Sequence, residues 1–353
     1  LAETPVPETG LVLAVNRQAL DVLHPDGTVE RCRLHGRFRS DTHRGEGVVV
    51  GDRALLGPRL PPPAPGAAPS IRSVIGIAPR TSALRRHLTS RTDGRVLPDL
   101  TLAANVDLCL IVQAYRAPDF RPAVADRLIA LARSCAIAPV LVLNKAEDAP
   151  PADVSAILDP YRRLGIEGFA VSALRGTGLD PLAARAAGHL TVLLGPSGVG
   201  KSALASALTP GEGPATGAVS EARLRAGRGR HTTVQARLYP LRGGGYIIDT
   251  AGIRSLGLPE GAAVGDAFPE IAGFAAACRF SDCTHRGEPG CAVRAAVADG
   301  RLPRRAYEGY LKVAGDLAAR PMGRGYTHPG GRERRGAGLR GREGRGGEGE
   351  DTD

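Results

Sequence analysis

GPSGVGKS, running from Gly195 to Ser202, follows the apolar run TVLLG (Thr191 to Gly195) and precedes the helix-forming ALASAL (Ala203 to Leu208). A buried strand, a glycine-rich turn and a helix start, in that order, make a cradle for phosphate. Gly195 and Gly200 permit backbone conformations that turn successive N–H groups inward, and the helix amino terminus adds partial positive charge. Lys201 is placed to bridge the β- and γ-phosphates of a nucleotide, and Ser202 to coordinate Mg²⁺. Pro196, Ser197, Gly198 and Val199 supply loop backbone, as Ala203 does at the first helical turn. Of the 46 Lys plus Arg, only Lys145, Lys201 and Lys312 are lysine. A chain that uses Arg almost everywhere keeps Lys here because a narrow ammonium threads between backbone amides and a planar guanidinium does not.

Outward from this loop lie the other parts of a guanine-nucleotide site. DTAG (Asp249 to Gly252) ends the apolar run YIIDT. Asp249 is expected to hold Mg²⁺ through water, and the Gly252 N–H to sense the γ-phosphate. The threonine pair Thr232 and Thr233 follows RGRH and is expected to act as a switch segment, with His231 a candidate for orienting the attacking water. The position after DTAG is Ile253, which cannot hydrogen-bond that water. Upstream, NKAE (Asn144 to Glu147) is a base-recognition type: Asn144 is expected at the guanine O6/N7 edge, and the stem of Lys145 along the base. The acidic residue accepts the N1–H and 2-amino hydrogens. Leaving it unpaired costs about 1–3 kcal/mol, which disfavours adenine and with it an ATPase or small-molecule kinase. The usual residue is Asp; here Glu147 stands one methylene longer, with Asp148 the alternative if the turn slips by one. Ser172 and Ala173, in SAL, fit backbone support for the guanine O6. In an ordinary GTPase the phosphate loop leads and the base-recognition motif trails. Here that order is rotated, which points to a circularly permuted GTPase.

The surrounding chain divides at composition shifts. Residues 1–78 carry short β-prone runs, LVLAV (Leu11 to Val15), ALDVL (Ala19 to Leu23) and VVVGDRALL (Val48 to Leu56), broken by turn formers such as Pro25-Asp26-Gly27. They fit a compact barrel of the oligonucleotide-binding kind. PPPAPGAAP (Pro61 to Pro69) reads as a surface loop. Residues 79–255 alternate apolar runs with helical patterns. LCLIV (Leu108 to Val112) and VLVLN (Val140 to Asn144) read as parallel strands covered on both faces, with Val124, Leu128 and Leu131 at helical spacing between them. Residues 256–320 read as helical, and residues 321–353 are Gly, Arg and Glu with almost no apolar content, a composition expected to stay disordered.

Three of the six cysteines cluster in Cys278-x4-Cys283-x-His285-x5-Cys291. Soft sulfur with one imidazole suits Zn²⁺, and four protein ligands leave no open position, so one structural zinc is expected. Across 353 residues the net charge is +10, which suggests a polyanionic partner. No apolar run reaches the roughly 18 residues of a membrane span, and the acidic, proline-bearing LAETPVPETG at the amino end argues against a secretory signal.

The full series NKAE, SAL, GPSGVGKS, GRHTT, DTAGIR and DCTHRGEPGCAV resembles the RsgA/YjeQ family of ribosome small-subunit-dependent GTPases. RTSALRR (Arg80 to Arg86) and AANVD (Ala103 to Asp107) extend the likeness over roughly residues 10 to 320. The resemblance implies an α/β fold: a permuted GTPase core between an amino-terminal oligonucleotide-binding barrel and a carboxyl-terminal helical zinc domain. It also implies GTP and GDP as ligands, GTP hydrolysis stimulated by the small (30S) subunit, late maturation of that subunit through contact with its 16S rRNA, and a cytoplasmic, monomeric protein. Departures are Glu147 for Asp, Ala251 where the family commonly has Pro, and the long tail. An alternative function is a nucleotide-regulated RNA-binding assembly factor in which hydrolysis is incidental.

Overall fold

The amino-terminal runs bury alternate residues, and that alternation closes them on themselves. The computed structural model describes residues 8–16, 19–34, 47–58, 71–89, 96–211, 237–248 and 264–318. Strands β1 (Glu8–Val15), β2 (Ala19–Leu23), β3 (Val29–Leu34), β4 (Arg53–Leu56) and β5 (Ser73–Ile77) form a closed barrel in the order β1-β2-β3-β5-β4. Val12, Leu20, Val22, Cys32, Ala54, Leu56 and Val74 fill it. β4 pairs back onto β1, and β3 with β5 is the one parallel pair in the barrel. The barrel expected from the sequence is present. β3 escapes a reading of apolar runs because VERCRL alternates charge with burial, and only Cys32 is fully enclosed. The run Val48 to Leu56 is not one strand. Gly51, at φ +86°, breaks it, and only its carboxyl half joins the barrel.

That break docks the barrel on the next layer. A Cβ at Gly51 would lie 2.1 Å from the Ala104 carbonyl oxygen. Asn105 Nδ2 donates to Gly51 O at 2.9 Å, and the fully buried Asp52 receives Arg80 Nε at 2.7 Å and Nη2 at 2.8 Å. A hairpin of β6 (Ala83–Thr89) and β7 (Val96–Ala104) then leads into a six-stranded sheet.

The sheet runs β10 (Glu167–Ala170), β9 (Ala138–Asn144), β8 (Leu108–Ala114), β11 (Leu190–Leu194), β13 (Tyr246–Ile248) and β12 (Leu238–Pro240). All neighbours are parallel except the edge pair β12 and β13. Every residue of β8 and β11 is buried, which is why both read as unbroken apolar runs. Helices α1 (Pro122–Ser134), α2 (Pro151–Arg162), α3 (Leu179–Ala186) and α4 (Lys201–Leu208) belong to this layer. The helix expected around Val124, Leu128 and Leu131 is α1. Leu131 is buried as expected, together with Ala125, Ile129, Ala130 and Ala132, while Val124 and Leu128 are half-buried.

Helices α5 (Val264–Ala267), α6 (Pro269–Ala275), α7 (Ala292–Ala298) and α8 (Arg304–Ala318) follow, as the helical reading of this segment anticipated. They pack on α1 through Phe268, Ile271, Ala306 and Val313. Arg305 Nη2 holds both Asp126 oxygens at 2.7 Å and also donates to the Tyr161 hydroxyl, while Arg133 pairs with Glu270 at 3.1 Å. Among the described residues, no helix is long and apolar enough to cross a membrane.

Gly51→Ala and Gly27→Ala separate backbone strain from collision. Both glycines have φ near +85°, but only Gly51 has neighbours within reach of a Cβ. Gly27→Ala is expected to cost about 1 kcal/mol, the left-handed backbone alone. Gly51→Ala should cost about 2–4 kcal/mol, because overpacking adds to that strain. Denaturant unfolding of the two variants checks the difference.

Candidate nucleotide site and metal centre

Parallel strands end on one edge of their sheet, so the loops that leave β9, β10 and β11 meet there. In an open sheet of this kind, ligands bind outside the carboxyl ends of the strands. The glycine-rich loop Gly195 to Gly200 leaves β11 and turns into α4. Gly195 lies so close to β8 that a Cβ would meet Val112 O at 2.1 Å. Gly200, at φ +89°, caps α4 without a side chain, which leaves the first N–H groups of the helix to a ligand. Lys201 Nζ donates to Gly195 O at 2.9 Å and Pro196 O at 2.6 Å, so the ammonium already lies across the loop. Ser202 and Ala203 are exposed at the helix start, and Ser197 and Gly198 at the loop tip.

Asn144 ties this loop to the others. It ends β9 and is 2% exposed. Its Nδ2 donates to Val199 O at 2.9 Å, and its Oδ1 accepts from Ala173 N at 3.0 Å. One amide therefore spans all three segments read as base and phosphate contacts. Lys145, at φ +59°, donates from Nζ to Ala117 O in the loop after β8. The spacing of NKAE, SAL and GPSGVGKS along the chain carries no sign of the Asn144 strut.

Glu147 and Asp148 separate clearly. The Glu147 carboxylate is held below the usual range by its own backbone N–H and by the Ser172 hydroxyl. Its Oε2 is enclosed and has no hydrogen-bond partner. Ser172 is fully buried, its N–H donating to Thr177 O at 2.9 Å. Asp148 is exposed and receives both Arg175 nitrogens, at 3.1 and 3.3 Å, which fastens NKAE to the SAL turn. Arg175 was not anticipated, and a surface arginine carries no signal of that role in the sequence alone.

His231, Thr232, Thr233, Asp249, Gly252 and Ile253 lie outside the described residues.

The carboxyl-terminal helices carry the second constellation. Cys278, Cys283, His285 and Cys291 bring one ligand atom each within 4.8 Å of one another. His285 Nδ1 lies 3.6 Å from Cys278 Sγ and 3.5 Å from Cys291 Sγ. A tetrahedral ion with bonds of about 2.3 Å to sulfur and 2.0–2.1 Å to nitrogen sets that edge at about 3.6 Å. The donor set fits. Burial pushes His285 below its usual range and keeps the imidazole neutral, the form that ligates metal. The Tyr307 hydroxyl donates to His285 O at 2.6 Å, and the Tyr310 ring lies 5.5 Å from the imidazole. The Glu288 carboxylate accepts from the Thr284 hydroxyl and from the N–H groups of Thr284, Arg286 and Gly287, which pulls it far below the usual carboxylate range. With three thiols and one imidazole converging, no coordination position is left for substrate.

Removing the Asn144 amide should loosen the whole site. Asn144→Ala leaves Val199 O and Ala173 N without their partner, at about 1–3 kcal/mol for each enclosed group. Asn144→Asp keeps the acceptor for Ala173 N but sets a carboxylate oxygen against Val199 O, acceptor on acceptor in an enclosed site, so its thermal midpoint without nucleotide should fall at least as far as that of the alanine variant.

Comparison with known proteins places the chain among relatives of one kind. The model of the RsgA GTPase family matches residues 77–259. A protein named small ribosomal subunit biogenesis GTPase RsgA from Gemmatimonas aurantiaca is 35% identical over 314 residues, covering 88% of this chain and 98% of the relative. Its namesake from Moorella thermoacetica is 38% identical over 298 residues, covering 84% and 92%. The crystal structure of YjeQ from Thermotoga maritima superposes with a TM-score of 0.66 at 26% identity, over 89% of this chain and 99% of that one. YloQ, described as a circularly permuted GTPase, has the same fold, with a TM-score of 0.66 at 22% identity over 91% and 99%.

Proposed function

We propose a role in late maturation of the small ribosomal subunit for this chain, which belongs to the RsgA GTPase family and is a GTP hydrolase. The observation that carries the reading is the Asn144 strut, because it joins a base-recognition loop to a phosphate loop in one rigid site. The role in the subunit is supported by the names of the relatives and by the chain's net charge of +10, which suits an rRNA partner.

In this reading Lys201 leaves the loop carbonyls for the β- and γ-phosphates, and the N–H groups from Gly198 to Ala203 surround them. Ser202 and Asp249 would hold Mg²⁺, which neutralises charge building on the phosphates when bound. Thr232 and Thr233 serve as the switch, and Gly252 senses the γ-phosphate. At Ile253 there is no side chain to orient water, so the subunit, or His231, completes the site. Cys278, Cys283, His285 and Cys291 hold one structural Zn²⁺, which ties the loop between α6 and α7 to α7 itself.

Single-turnover hydrolysis of GTP is expected to accelerate on addition of small ribosomal subunits and to vanish in Lys201→Ala. Absence of any acceleration would count against a subunit-dependent enzyme. Normal subunit maturation by the hydrolysis-dead Lys201→Ala would favour instead the nucleotide-regulated assembly factor that the Ile253 gap permits.

Glu147, through the unpartnered Oε2, reads the guanine N1 and N2 hydrogens, while Asp148 serves the Arg175 clamp. Glu147→Ala should therefore weaken GDP roughly tenfold or more and narrow its margin over ADP. Asp148→Ala should change GDP affinity about threefold or less, as loss of an exposed ion pair does. Titration of labelled GDP against both variants decides which carboxylate reads the base.

A further inference from the structure

The described residues are poor in exposed aromatic surface. Phe280 is the only aromatic among them that is exposed, at 40%. It stands in the segment between metal ligands Cys278 and Cys283, where the backbone is fixed on both sides. Arg279 N–H donates to Gly290 O at 3.1 Å, and Phe280 O accepts from Cys283 N–H at 3.3 Å. The Arg279 stem packs on Gly290, where an added Cβ would lie 3.0 Å from Arg279 Cβ. From there its guanidinium lies 5.5 Å from the centre of the Phe280 ring. Arg279, Arg286 and Arg294 are exposed, and none is ion-paired with a carboxylate among the described residues. Of the acidic groups between them, Glu288 is occupied by the backbone of its own loop, and the exposed Asp282 forms no ion pair with any of the three.

A rigid, solvent-facing ring beside an uncompensated guanidinium suits one partner chemistry. Unpaired bases stack on aromatic faces and on guanidinium planes, while phosphates between the bases take up the cationic charge. A duplex offers no free base face. A protein partner would favour an apolar pocket around the ring rather than a second cation beside it.

We propose that Phe280 and Arg279 form a stacking platform for an unpaired base of single-stranded RNA, with Arg286 and Arg294 supplying phosphate contacts. This rests on the reading of the chain as a ribosomal-subunit factor and places one RNA contact on the metal-binding loop. It needs no change in the nucleotide site.

The test uses the full chain and a labelled oligouridylate of about twelve nucleotides, followed by fluorescence anisotropy. Phe280→Ala should weaken binding about tenfold, Phe280→Tyr should retain it, and Phe280→Leu, apolar but not planar, should behave like alanine. Arg279→Ala should weaken binding and lower the salt slope by ~0.7, one phosphate's share for a single strand. Metal content and unfolding midpoint, measured on each variant, exclude loss of the loop itself. Equal affinity of Phe280→Ala and wild type would overturn the platform, as would wild-type affinity in Phe280→Leu or no oligonucleotide binding by the wild type. Co-sedimentation with small subunits is scored separately. A wild type that binds the oligonucleotide but not the subunit sinks the subunit assignment and leaves the platform standing.

Discussion

The buried Asn144 amide is the constraint on which the nucleotide site depends. Its donor fixes the Val199 carbonyl and its acceptor fixes the Ala173 N–H, so the phosphate loop and the base loops cannot move independently. Gly200 must be glycine for a related reason: a Cβ there would come within 2.4 Å of Asn144 Nδ2. The strut also explains how the rotated chain order is tolerated. Each nucleotide-binding loop leaves the carboxyl end of a parallel strand, and the sheet holds those ends together whichever strand the chain enters first. Connectivity can rotate because the contacts that matter are between loops.

The permutation has a structural consequence at α1. The loop before it receives Lys145 at Ala117 O, and its body holds Arg305 through Asp126. The stretch from Ala117 through α1 thus touches Lys145 at one end and the carboxyl-terminal helices along its body. Desolvation pushes the Asp126 carboxyl up, and the Arg305 guanidinium opposes that shift. A pair this enclosed is held for geometry more than for net stability, because breaking it strands a charge. The Tyr161 hydroxyl completes the cage and shares the same guanidinium.

Most of the fold was legible because its signals are local. β8, β9 and β11 are buried on both faces and so read as apolar runs, and the cysteine spacing sits within a single segment. What escaped depends on contacts distant in the chain. β3 alternates charge outward, so its one enclosed residue, Cys32, gives no periodic signal. Gly51 reads as part of a strand until the Ala104 carbonyl appears beside it. In the site, three of the segments that converge were legible and their wiring was not. Nothing in NKAE says that Asn144 will use both ends of its amide within the protein, or that Asp148 will turn outward to Arg175. The acidic pair could be separated only once Ser172 was seen against Glu147.

The net charge of +10 likewise acquires meaning only when its arginines are sorted by what they touch. Arg80 is committed to Asp52, Arg133 to Glu270, Arg175 to Asp148, Arg185 to Glu167, Arg301 to Asp299 and Arg305 to Asp126. These hold layers and loops together and add little to the field outside the molecule, since each faces a carboxylate. Arg279, Arg286 and Arg294 are different. They project from the loop that carries Cys278, Cys283 and His285 and from the first turn of α7, where the nearby Glu288 is already satisfied by its own loop. Guanidiniums left unmatched on a rigid loop keep their attraction for phosphate at low entropic cost. Among the described residues, the arginines of these ion pairs and the three on this loop and the first turn of α7 therefore differ in what is left of their charge for a ligand.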